Sequence, residues 1–209
     1  MMTSRMFPVL FMVLTLGVAR AEGATEIAPK IAKEPGSLII LNTLEKDDIY
    51  GNADYVDHNV YRRLEGQYPE STPVFIRGSS EDEIRKGVEA NVSSVTTLDG
   101  LVILSHGEFD KHRKQSVIYN AEGFEMFPED PNSVRSYFRS VVGKFNENAK
   151  LHFTGCMLLS GHEKSNVKAI ITSMIRVAEA FEFKSGSIYM NYTMGTPVID
   201  SYIRQPFQK

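Results

Sequence analysis

The chain has 209 residues, 42% of them hydrophobic and 23% charged, which suits one globular domain with or without a targeting segment and excludes a repeat array or a disordered tail. A formal net charge of −3 with interspersed signs offers no basic stripe to a phosphate backbone, so nucleic acid is not an expected partner. The single cysteine excludes a disulfide framework and any multi-cysteine zinc site.

Arg5 precedes an apolar run from Phe7 to Ala19, and Ala19-Arg20-Ala21 then supplies small residues around a cleavage point. Residues 1–21 therefore read as a signal peptide, and the expected location is secreted or periplasmic. The run is shorter than the roughly 20 residues that a helix needs to cross a bilayer, so no membrane span is expected after cleavage. Residues 22–36, with Pro29 and Pro35, read as a flexible lead-in, and 37–209 as a single α/β domain.

Leu38 to Leu41 predicts a buried strand, and Val56, Val60, Leu64 and Tyr68 recur every fourth residue on a helix face. Val74 to Ile76 repeats the strand signal. Ser80 and Glu83 form a capping box before a helix with Ile84, Val88, Val92 and Val95 inward. Leu101 to Leu104 is the third strand, and the apolar segments on either side of Ala121-Glu122-Gly123 predict a small hairpin. Asp130 and Pro131 open a helix whose spacing runs from Val134 through Phe138 and Val141 to Phe145. Leu151 to Thr154 is a strand, Ser165 opens the longest helix, and Ser187 to Met190 closes the series. Such alternation predicts a mostly parallel sheet with helices on both faces, and its chemistry belongs at the carboxyl ends of neighbouring strands.

Ser105-His106-Gly107-Glu108 follows the third strand and Gly155-Cys156 follows the fourth, with His106 and Cys156 50 positions apart. A histidine and a thiol ending adjacent strands are the elements of a nucleophile pair. His152 shares strand parity with Thr154 and Cys156, and with His106 or His162 it would make a zinc set; within an apolar strand it reads instead as a packed histidine. No metal and no other cofactor is called for.

The segments LVILSHGE (101–108), VIYNAEGFEM (117–126) and KLHFTGC (150–156) resemble the caspases and their wider clan of caspase-like cysteine peptidases, which includes the metacaspases and gingipains. Members place a catalytic histidine, followed by glycine, after one hydrophobic strand and the cysteine after the next. The caspase interval of about 50 residues is matched here. The resemblance implies a caspase-like three-layer sandwich with a hairpin after the histidine strand. It also implies a secreted cysteine-type endopeptidase acting on peptides or proteins. Cys156 would be the nucleophile and His106 the acid and base, with the backbone amides of Gly107 and Cys156 at the oxyanion.

The chain departs from the caspase pattern where substrate is recognised. Thr154-Gly155-Cys156-Met157-Leu158 stands in place of Gln-Ala-Cys-Arg-Gly, and the loop after the first strand carries Glu45, Asp47, Asp48 and Asp54. With Thr154 these form the expected substrate pocket, which cannot compensate a buried aspartate and favours cleavage after arginine or lysine; the other reading of these carboxylates is a solvated face away from any pocket. Arg204, swung into the pocket, would reverse that preference. The alternative class is a catalytically inactive caspase-like binding module, because only 20 residues follow Tyr189 to build pocket loops. Oligomeric state is not readable from the sequence.

Overall fold

The computed structural model describes residues 35–44, 47–48, 51–155, 158, 167–191 and 202–209. The expected signal peptide and most of the lead-in lie outside the described residues, as does Cys156.

The first apolar run forms β1 (Ser37–Asn42), in which Leu38 to Leu41 are fully buried. A two-residue ribbon, β2 (Asp47–Asp48) against β3 (Gly51–Asn52), leads into α1 (Ala53–Leu64) and a 3-10 turn at Glu65–Gln67. β4 (Thr72–Arg77) follows. Next comes α2 (Glu81–Val92), opened by the expected capping box of Ser80 and Glu83, with Ile84, Val88 and Val92 buried. β5 (Leu98–Leu104) then enters the centre of the sheet.

Beyond β5 the chain departs from the simple alternation. His106 begins a strand of its own, β6 (His106–Asp110), which pairs antiparallel with β7 (Gln115–Tyr119); β7 in turn pairs with β8 (Glu125–Met126). The expected hairpin is therefore two strands of a three-stranded sheet. β6 is half-buried and polar, so no apolar run announces it. α3 (Pro131–Phe138), capped by Asp130, ends earlier than its spacing predicts. Val141 and Phe145 are buried, but the first sits in a turn that closes at Gly143 with φ 77°, and the second begins β9 (Phe145–Phe153). Burial had kept the apolar spacing regular across a change of backbone. β9 is also longer than its apolar run, because its first half is polar and bulges away from β5 between Leu98 and Gly100.

α4 (Val167–Ala180) connects β9 to β10 (Ser185–Asn191), and β11 (Tyr202–Gln208) returns antiparallel along β10. β11 was not expected. Its alternation of exposed and half-buried residues around Pro206 suits an edge strand, where a missing amide costs little. The six-stranded sheet runs β11-β10-β9-β5-β1-β4, all parallel except β11.

Strand parity assigns the helices to faces. Ile39, Leu41, Leu101, Ile103, Leu151 and Phe153 form one core with α2, α3 and α4, whereas Leu38, Ile40, Val102 and Leu104 pack with Val60 and Leu64 of α1. The sheet is thus flanked by helices on both faces, as expected.

The carboxyl end of β1 is pinned from below. Buried Asp57 on α1 accepts from Asn42 Nδ2 at 2.8 Å and from Arg77 Nε at 2.8 Å, joining α1 to the last residues of β1 and β4. Losing the carboxylate leaves the buried Asn42 amide and the Arg77 guanidinium without this acceptor. Asp57→Ala is expected to lower stability by about 2–4 kcal/mol, read as a reduced urea midpoint, with Asp57→Asn costing less.

Candidate functional site

The carboxyl end of β5 is held from both sides by one repeated device. Thr43, one residue past β1, gives both its amide and its hydroxyl to the Leu104 carbonyl, each at 2.9 Å. Thr154, one residue past β9, does the same to the Ile103 carbonyl, again at 2.9 Å for both. A carbonyl oxygen has two lone pairs, so each threonine saturates one acceptor and extends the parallel ladder by one rung. The pairing Ile103↔Phe153 then sets Gly155 beside His106. A Cβ on Gly155 would lie 3.2 Å from the His106 carbonyl oxygen, 3.2 Å from Ser105 Oγ and 3.3 Å from Gly107 Cα. Glycine permits this approach.

His106 is half-buried at the head of β6, opposite Tyr119, and Gly107 lies opposite Ile118. The Tyr119 hydroxyl donates to Glu108 Oε1 at 2.5 Å, and burial, followed by that carboxylate, pushes the phenol above its ordinary range. Arg113 bridges to Glu125 at 2.7 Å and lies over the Phe127 ring. The small sheet is therefore cross-braced behind His106. Its turn docks on the main sheet through Ala121 N to Thr43 O at 2.8 Å.

The fold thus joins His106, Gly107 and Gly155, the residue before Cys156, at one sheet edge. Thr154 is buried, with its hydroxyl spent on Ile103. Asp47 and Asp48 form β2, and Asp54 lies in the first turn of α1, all on the connection that leaves the carboxyl end of β1. Glu45 lies outside the described residues.

The structure adds a buried anchor that sequence reading did not single out. Fully buried Leu158, two residues after Cys156, accepts from Ser116 Oγ at 2.6 Å. Ser116 N donates to Glu129 Oε2 at 3.0 Å, and Ser173 Oγ of α4 donates to Glu129 Oε1. Burial raises the Glu129 carboxyl to about 7, against the lowering effect of the Ser116 hydrogen bonds and of Arg176. Within FPEDPN this glutamate reads as a surface residue before a helix cap, so no sequence signal marks it.

His152 is a packed core histidine. Its Nε2 lies 3.0 Å from the Tyr68 hydroxyl and its ring stacks on Tyr189 at 4.4 Å. Complete burial, with Lys150 nearby, lowers it to about 3. Among the described residues, no group of three or more His, Cys, Asp or Glu could hold a metal ion.

Comparison with known proteins finds no family model that matches the chain and no significant match among curated proteins.

Two buried titratable groups give opposite pH dependences. Glu129, raised from 4.5 to about 7, contributes stability that is complete below about pH 4.5 and lost as pH rises through about 7, on the order of 3 kcal/mol. His152, lowered from 6.5 to about 3, contributes stability that is present above about pH 6.5 and lost on acidification toward 3. Relative to the parent, Glu129→Gln should gain stability steadily between pH 4.5 and 7, and His152→Phe should gain it as pH falls below 6.5. Urea titrations across this range would show either difference as a slope; a flat difference would contradict the assignment.

The threonine device makes a second prediction. Thr154→Val keeps the shape and the amide bond but loses the hydroxyl bond, at a cost of about 1 kcal/mol, and Thr154→Ser restores most of it. Urea midpoints of the two variants would check this.

Proposed function

We propose that this protein is an exported, caspase-like cysteine endopeptidase in which His106 and Cys156 act as a catalytic dyad. The supporting observation is the packing of Gly155, the residue before Cys156, against the backbone of His106 and Gly107 at the carboxyl ends of adjacent parallel strands. That edge is where doubly wound sheets gather their chemistry.

In this reading the Cys156 thiolate attacks the scissile carbonyl carbon, forming a C–S bond and placing negative charge on the oxygen, which the amides of Gly107 and Cys156 receive. His106 carries the thiol proton to the leaving amine as the C–N bond breaks. Water, deprotonated by His106, then attacks the thioester and releases the acid and the thiol. A basic substrate side chain would be met by the carboxylates of Glu45, Asp47, Asp48 and Asp54, with Thr154, its hydroxyl already engaged, behind them.

A binding module without activity is the competing reading. It is favoured by β11, which commits residues 202–208 to pairing with β10 and so withdraws them from any pocket loop.

A thiol-directed activity probe separates the two. The exported protein should label at Cys156, Cys156→Ala should not label, and His106→Ala should lose roughly 10²–10⁴-fold in turnover while remaining folded. Unlabelled, folded parent protein would favour the binding module. A positional peptide library should show cleavage after arginine or lysine; cleavage after aspartate alone would remove the acidic segment from the pocket. An intact Met1 on exported protein would refute signal cleavage.

A further inference from the structure

Three buried side-chain atoms among the described residues have no hydrogen-bond partner: Ser105 Oγ, Asn120 Nδ2 and Tyr137 OH. Each belongs to a residue about 5% exposed, and buried polar groups of this kind are rarely left unsatisfied. All three residues line the same small cavity. It lies beneath the turn of the small sheet, at the carboxyl ends of β1 and β5, where the connections from the sheet diverge to opposite sides. About 10 Å³ is open there to the centre of a water-sized sphere, room for one water molecule and too little for a larger ligand.

We infer that this cavity is a binding site for a single internal water molecule that joins Ser105, Asn120 and Tyr137. The donor chemistry is specific. Asn120 Oδ1 already accepts from Phe124 N at 2.7 Å, so its Nδ2 faces the cavity as a pure donor and requires an acceptor. Either hydroxyl gives or takes, so a water accepts from Asn120 and one hydroxyl and donates to the other. A cation would be opposed by the Asn120 donor. An anion would be desolvated with no countercharge, because every lining residue is uncharged.

The three partners come from different elements: Ser105 from the residue between β5 and His106, Asn120 from the turn after β7, and Tyr137 from α3. Ser105 Oγ also sits beside Gly155. The water therefore links the small sheet and α3 to the strand end that carries His106. This does not depend on the peptidase reading.

A crystal structure of the full-length protein at better than 2 Å should show one ordered water within hydrogen-bond distance of all three atoms. A dry cavity, or the three side chains paired with other protein atoms, would overturn the inference. Two conservative variants provide an independent test through the sign of their effect. If water bridges the groups, Ser105→Ala and Tyr137→Phe each lower the melting temperature, and the double variant falls by less than the sum because both act through one molecule. If the hydroxyls are simply stranded, removing either raises the melting temperature, since an unsatisfied buried group has been deleted.

Discussion

Two carbonyl oxygens at the end of β5 determine the geometry of this sheet edge. Ile103 O and Leu104 O each receive the amide and hydroxyl of a threonine from a neighbouring strand, Thr154 on one side and Thr43 on the other. Parallel ladders normally fray where their strands diverge into connections. Here the last rung on each flank is doubled, so β1, β5 and β9 leave the sheet at one level. His106 begins its new strand two residues past the clamped carbonyls, and Gly155 follows Thr154 directly. Their contact is thus a consequence of hydrogen bonding in the sheet and of a missing Cβ, and it needs no long-range loop to assemble it.

Around this edge the protein keeps several polar groups buried and manages each differently. Asp57 is fixed by Asn42 and Arg77. Glu129 is held by Ser116 and Ser173, donors too weak to offset its burial, so protonation offers it relief near neutrality. His152 is kept neutral between two tyrosines. Glu129 and His152 respond to acid in opposite directions, and between about pH 4.5 and 6.5 their contributions oppose one another. Gly155 packs against His106 and Gly107, and Leu158 accepts from Ser116, whose amide Glu129 also binds.

Much of this architecture was legible from local chemistry. The runs at Leu38, Leu101 and Ile188 are continuous because both sheet faces are covered, and the Ser80–Glu83 box and Asp130–Pro131 mark helix starts that need no tertiary information. The misses share a physical origin. β6 and β11 are polar, half-exposed strands whose pairing is decided by neighbours, and α3 gives way to a turn and strand without interrupting the burial of Val141 and Phe145. That His106 and Gly155 lie just past two strands at the same edge of the sheet followed from topology alone. The threonine clamps and the Glu129 anchor did not, because a hydroxyl or a carboxyl carries no sequence mark of where the fold will bury it.

The proposed preference for basic side chains depends on where Arg204 sits. On β11 it lies opposite Tyr189, at the level of His152, two residues below the rung that Thr154 extends. Its Nε donates to Ser187 Oγ at 3.1 Å, and Ser187 is paired with Lys150, two positions farther from the edge. The side chain therefore leans away from His106, and its charge joins that of Lys150 on the sheet face. Bringing it to the edge would require breaking its bond to Ser187 and leaving the Tyr189 ring 6.0 Å away. The residue best able to turn the proposed acidic pocket basic is thus held elsewhere by its own strand. In the proposed peptidase reading, the charge presented to a substrate is then left to the carboxylates on the connection from β1.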